Sequence, residues 1–110
     1  MYLMAYVIAA DLAEARRIAK ALVEERLAAC VNILGRTESV YHWEGVVQSS
    51  EEVALLAKTT EACFDALAAR VRALHSYELP CVVAMSLARG EAAFLGWIGE
   101  NVRPGRNANM

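Results

Sequence analysis

The chain has 110 residues, a formal net charge of −2, a sequence pI of about 5.7, 57% hydrophobic residues and a mean hydropathy of +0.29. That length suits one domain with one modest core. The acidic balance and the lack of any basic run exclude nucleic-acid binding by phosphate neutralisation, and no run of about 18 apolar residues is present to cross a membrane.

The hydrophobic share is high for a small monomer. Part of it is alanine on helical surface, and part fits apolar surface buried between subunits. Three cysteines, Cys30, Cys63 and Cys81, are odd in number, widely spaced and free of any CxxC pattern. Such usage suits a reducing cytoplasm rather than a disulfide framework.

Residues 2–9 form an apolar run that predicts a buried central strand. Asp11 opens a helix, with Glu14 three residues on as in a capping box. Ala15, Ile18, Ala19, Leu22 and Val23 share that helix's apolar face. Cys30 to Trp43 then reads as strand, Glu44-Gly45 as a tight turn, and Val46 to Thr59 as a second strand. Each arm of about 14 residues spans about 46 Å at roughly 3.3 Å per residue. A compact domain of this length has a radius of gyration near 13 Å and a diameter of roughly 35 Å. The hairpin therefore overhangs its own domain and exposes Tyr41 and Trp43, which predicts a second copy of the chain as partner. Gly35 marks a bulge or bend in the first arm.

Thr60 caps a second helix, whose apolar face is Phe64, Leu67, Ala68, Val71 and Leu74. The loop His75-Ser76-Tyr77-Glu78-Leu79-Pro80 leads into the strand Cys81–Ser86. A last helix covers about Glu91 to Asn101, with Phe94, Leu95 and Ile98 inward; Gly96 and Gly99 weaken it, so it depends on docking. The segment 104–110 has no periodicity and reads as a disordered tail after a single domain at 1–103. The order β-α-β-β-α-β plus a helix predicts an α+β, ferredoxin-like fold. In it both helices lie on one face of an antiparallel sheet of order 4-1-3-2, and the edge strands are free to pair between subunits.

Four motifs in order then carry a resemblance. Leu27-Ala28-Ala29-Cys30-Val31-Asn32, Tyr41-His42-Trp43-Glu44-Gly45, Lys58-Thr59-Thr60 and His75-Ser76-Tyr77-Glu78-Leu79-Pro80, with Phe94-Leu95-Gly96-Trp97-Ile98 closing, resemble the CutA divalent-cation tolerance family over residues 2–102. The resemblance implies a homotrimer with Tyr41, Trp43 and Tyr77 at its interfaces, and a role in tolerance to copper and other divalent metals. Its architecture is also similar to the PII nitrogen-signalling proteins, which makes a trimeric small-molecule sensor with no direct metal role the alternative. Two departures stand out. The family usually reads His-Pro-Tyr where this chain has His75-Ser76-Tyr77, so the loop is expected to lose rigidity. Copper binding in the family is tied to a cysteine near the end of the first strand and to that histidine; here the strand holds Val7 and Ile8, while His75 remains.

The candidate metal ligands are His75, Glu78, Asp11 and Cys30, with divalent copper as the candidate ion and no cofactor required. The 4-1-3-2 order places Cys30 away from His75, at the opposite end and edge of a subunit, while Asp11 and Glu78 fall at the end where His75 lies. A neighbour's hairpin tip, carrying His42 and Glu44, could reach them. Such nitrogen and oxygen donors suit Cu(II), Zn or Ni better than Mg. Structural readings stand beside these: Cys30 as a small buried hydrophobe, His75 as a helix-end group bonding a carbonyl, Glu78 and Tyr77 as loop anchors, Tyr41 and Trp43 as interface core. No Ser-His-Asp grouping, phosphate loop or carboxylate pair argues for an enzyme.

Overall fold

In the computed structural model, residues 1–104 are described. The tail expected at 104–110 therefore lies, Pro104 apart, outside the described residues. The elements are β1 (Tyr2–Ala9), α1 (Leu12–Glu24), β2 (Cys30–Trp43), β3 (Val46–Thr60), α2 (Glu61–Leu74), β4 (Val82–Ser86) and α3 (Ala92–Asn101). They form an α+β fold on one four-stranded antiparallel sheet of order β2-β3-β1-β4.

Alternation along the central strands decides which face each helix covers. Odd-numbered residues of β1 are buried and even-numbered ones only partly so. Ala5, Val7 and Ala9 join Val53, Leu55 and Ala57 of β3 and close on Ala15, Ile18 and Leu22 of α1 and Leu67 and Val71 of α2. Tyr2, Met4, Tyr6 and Ile8 point to the opposite face. That face continues onto Val83 and Met85, which are 54% and 51% exposed. A sheet face this apolar and this open is unusual for a chain that stays alone.

The two strands of the hairpin outrun their neighbours. The β1–β3 ladder ends at Ala9 opposite Val53, so residues 46–52 of β3 have no partner on that side. They pair only with β2, out to Trp43 opposite Val46. The longest dimension is 43 Å against a radius of gyration of 14.3 Å. Glu44 and Gly45, with φ of 52° and 79°, turn the chain at the tip. Positive φ at both positions matches the right-handed twist of the strands. Gly35, at φ 106°, sits where the β2–β3 register shifts between Ile33 and Gly35. The bulge bends the hairpin where it leaves the body of the domain.

α3 docks through Ile98, which packs with Val102, Ala29 and Cys63 in a second small core. Gly99 belongs to this contact, since a Cβ there would stand 3.3 Å from the Tyr2 hydroxyl. Phe94, expected inward, is instead 44% exposed and stacks on Trp97 at a ring separation of 5.5 Å. The ten-residue helix buries only one narrow stripe, and Ile98 occupies it.

Cys30 begins β2, Cys63 is buried on α2, Cys81 precedes β4, and all three are free. Alkylation of freshly unfolded protein without reductant is expected to label every cysteine. A product lacking two labels, the signature of an intrachain disulfide, would contradict this.

Candidate functional site

The loops at one end of the sheet are tied together by a single carboxylate. Asp11 caps α1, its Oδ1 accepting from Glu14 N–H at 2.8 Å. In a capping box the Glu14 side chain would return to Asp11 N–H. Here it reaches one residue further: Oε2 accepts from Ala10 N–H at 2.8 Å, and Oε1 accepts from Ser76 N–H at 2.9 Å. Glu14 thus joins the β1–α1 turn to the α2–β4 loop. Burial pushes the pKa of its carboxyl up, but the hydrogen bonds from Ala10 and Ser76 outweigh that, and its pKa falls below the ordinary value. Ser76 matters here for its backbone. A proline has no N–H, so serine at this place supplies a donor that offsets the rigidity expected to be lost.

His75 is held by the same node. Its side chain is fully buried, with Nδ1 3.5 Å from Glu14 Oε2. Nε2 lies 2.6 Å from the Ile8 carbonyl, and Nδ1 is 3.0 Å from Tyr77 N–H. A carbonyl can only accept and an amide N–H can only donate. The two contacts therefore fix the neutral tautomer, protonated on Nε2, and commit both nitrogens. Tyr77 then carries the loop outward. Its ring packs against His75 at 4.7 Å, and its hydroxyl donates to Glu52 Oε2 at 2.7 Å. Burial and the Glu52 carboxylate push the Tyr77 hydroxyl far above its ordinary pKa, so it remains a donor.

Between this loop and the overhanging hairpin lies a cleft of about 600 Å³ on the open sheet face, with Trp43, Tyr41, Tyr77, Leu79 and Glu52 among its walls. Tyr41 is fixed by a 3.0 Å bond between its hydroxyl and Ser50 Oγ. Cys81 also reaches the cleft, and partial burial and the charge of Glu52 push the pKa of its thiol up. A hollow of about 430 Å³ on the hairpin, lined by Arg36, Thr37, Glu38, Ser49, Ser50 and Glu51, holds a loose, exposed ion pair of 3.9 Å between Arg36 and Glu51.

The expected metal ligands are not assembled. Asp11 and His75 do share the end of the sheet organised by Glu14, and Glu78 lines the cleft. Cys30 stands in register with Lys58, which faces Met4, while His75 bonds Ile8. Four residues along β1 amount to about 13 Å, and β2 lies two strands away. Among the described residues no three His, Cys, Asp or Glu side chains group to hold a metal ion. With both His75 nitrogens committed, the donor set within one chain does not fit a divalent metal. Glu52 and the Ser76 amide went unread in the sequence. The signal for Glu52 was a carboxylate on the same strand face as Ala54 and Leu56, where alternation calls for an apolar residue.

These features define a small α+β protein with an open sheet face, an overhanging hairpin and a cleft beside it. Residues 3–101 match the CutA1 divalent ion tolerance protein family, and the chain belongs to it. The divalent-cation tolerance protein CutA of Thermus thermophilus is 53% identical over 87 residues, covering 79% of this chain and 84% of that protein. Its Archaeoglobus fulgidus counterpart is 43% identical over 102 residues, covering 93% and 99%. The solved structure of the T. thermophilus protein superposes with a TM-score of 0.92 at 46% identity, covering 94% of this chain and all of that one. That of the A. fulgidus protein, described as periplasmic, gives 0.90 at 43% identity, with 94% and 100% covered.

Proposed function

We propose that this chain acts in divalent-cation tolerance as a homotrimer in the cytoplasm, is not an enzyme, and needs no resident cofactor. Membership of the CutA1 family carries the tolerance role. The trimer is supported by the overhanging hairpin and the uncovered apolar sheet face, with Tyr41, Trp43 and Tyr77 as interface residues. The cysteine usage supports the cytoplasm; no helix of the described residues is long and apolar enough to cross a membrane. The acidic surface supports a protein that leaves nucleic acid alone.

Divalent copper is the ion to test for direct binding, through His75 with Glu78 or Asp11. The bonds of His75 speak for an anchor instead, because a metal would have to displace Tyr77 N–H or the Ile8 carbonyl. Calorimetric titration with Cu²⁺ is expected to give the same affinity for the parent and for His75→Ala. A loss of about tenfold or more in the variant would return His75 to the ligand set. A second reading, a trimeric small-molecule sensor of the PII kind, is favoured by one observation: the cleft beside the hairpin.

A further inference from the structure

Glu52 is 7% exposed, yet it lines a cleft and only one of its two carboxylate oxygens is hydrogen-bonded. Oε2 accepts from the Tyr77 hydroxyl. Among the described residues, Oε1 has no hydrogen-bond partner, and it is not sealed from the cleft. An ionised carboxylate only accepts, so what is missing is a donor. Oε1 is therefore open to whatever donor enters the cleft, while the rest of the side chain is held in place by burial and by Tyr77.

The walls specify what kind of donor. Trp43, Tyr41 and Tyr77 place three aromatic rings around the same space, at 40%, 38% and 37% exposure. A second carboxylate, Glu78, stands on the loop side, and among the described residues no lysine or arginine lines the cleft. Aromatic faces with a desolvated carboxylate attract an organic cation. A hard divalent ion would want about six oxygen donors, which two carboxylates and a ring-lined wall do not offer. The volume suits a small molecule rather than a bare ion.

We propose that the cleft between the hairpin and the 75–81 loop binds an ammonium or guanidinium group, with Glu52 Oε1 accepting its hydrogen bonds and Trp43 and Tyr41 flanking it. This rests on the sensor reading above and gives it a ligand class. The cation has two sources: a free amine, or a lysine or arginine side chain of a neighbouring copy.

The test is calorimetric titration of the full chain with agmatine, a guanidinium and an amine without a carboxylate, beside isoamyl alcohol as a neutral comparison and Mg²⁺. Glu52→Gln keeps the volume and an acceptor for Tyr77 while removing the charge. Saturable agmatine binding, weakened about tenfold or more in Glu52→Gln and not seen for the alcohol, supports a free amine. Trp43→Phe retains a ring with a weaker face and is expected to lose severalfold, which keeps the question answerable if Glu52→Gln unfolds. No agmatine binding, with a lowered native mass in Glu52→Gln, assigns the cation to a neighbouring copy. Agmatine bound equally by parent and Glu52→Gln overturns the proposal. So does saturable Mg²⁺ binding that Glu52→Gln abolishes, or no binding up to about 10 mM with an unchanged native mass. The sensor reading fails separately, if agmatine binds and amines neither change the assembly nor protect the 75–81 loop from proteolysis.

Discussion

Replacing Glu14 by Ala is expected to cost about 3–6 kcal/mol of folding stability at neutral pH. Two partly buried N–H groups, of Ala10 and Ser76, lose a charged acceptor, and each such bond carries about 1.5–3 kcal/mol. The loss is concentrated at one junction, so the 75–81 loop should open before the sheet does. Urea unfolding at a fixed chain concentration measures it, because assembly would otherwise shift the midpoint. The pH dependence has a definite sign. The folded Glu14 carboxyl has a lowered pKa, so its stabilisation is complete above the unfolded value, near 4.3, and is lost as pH falls through the folded value. Glu14→Gln should therefore differ most from the parent at neutral pH and converge with it under acid. A difference that grows on acidification would contradict the assignment.

Replacing Trp43 by Ala is expected to weaken assembly by about 2–4 kcal/mol, a factor of roughly 30 to 1,000 in the dissociation constant. Trp43 stands next to the turn on the part of the hairpin beyond β1, and 40% of it is exposed in a single chain. The rest of the overhang is similarly bare, with Val40, Val46 and Val47 at 58–70% exposure. An aromatic ring in that position stabilises little within its own domain and much at a contact between domains. Sedimentation equilibrium of the variant reads this directly. Unchanged assembly with unchanged folding would place the contact elsewhere, on Val83 and Met85 of the sheet face.

Much of the fold was legible because its signals are local and repeated. Alternation in β1, the cap at Asp11, the turn at Glu44-Gly45 and the break at Gly35 each name their element without help from distant residues. The overhang was legible too, since strand length against domain size needs only a rise per residue. Errors arose where packing decides. Phe94 lies on an apolar stripe, but α3 has room to bury only Ile98. The site was less readable. Glu14 looked like half of a capping box, and only the fold brings Ser76 within 2.9 Å of it. His75 read either as a metal ligand or as a helix-end group bonding a carbonyl, and only the fold decides between them by giving its two nitrogens to Ile8 and Tyr77. Such long-range partners leave no spacing pattern in the chain.

The open sheet face, the bare hairpin and the cleft all make sense on a surface shared by several chains, which makes assembly the central property of this protein. Light scattering on the parent protein at micromolar concentration tests it most directly. Three chains of 12.0 kDa predict a mass of about 36 kDa. A mass of 12.0 kDa, that of one chain, would contradict it.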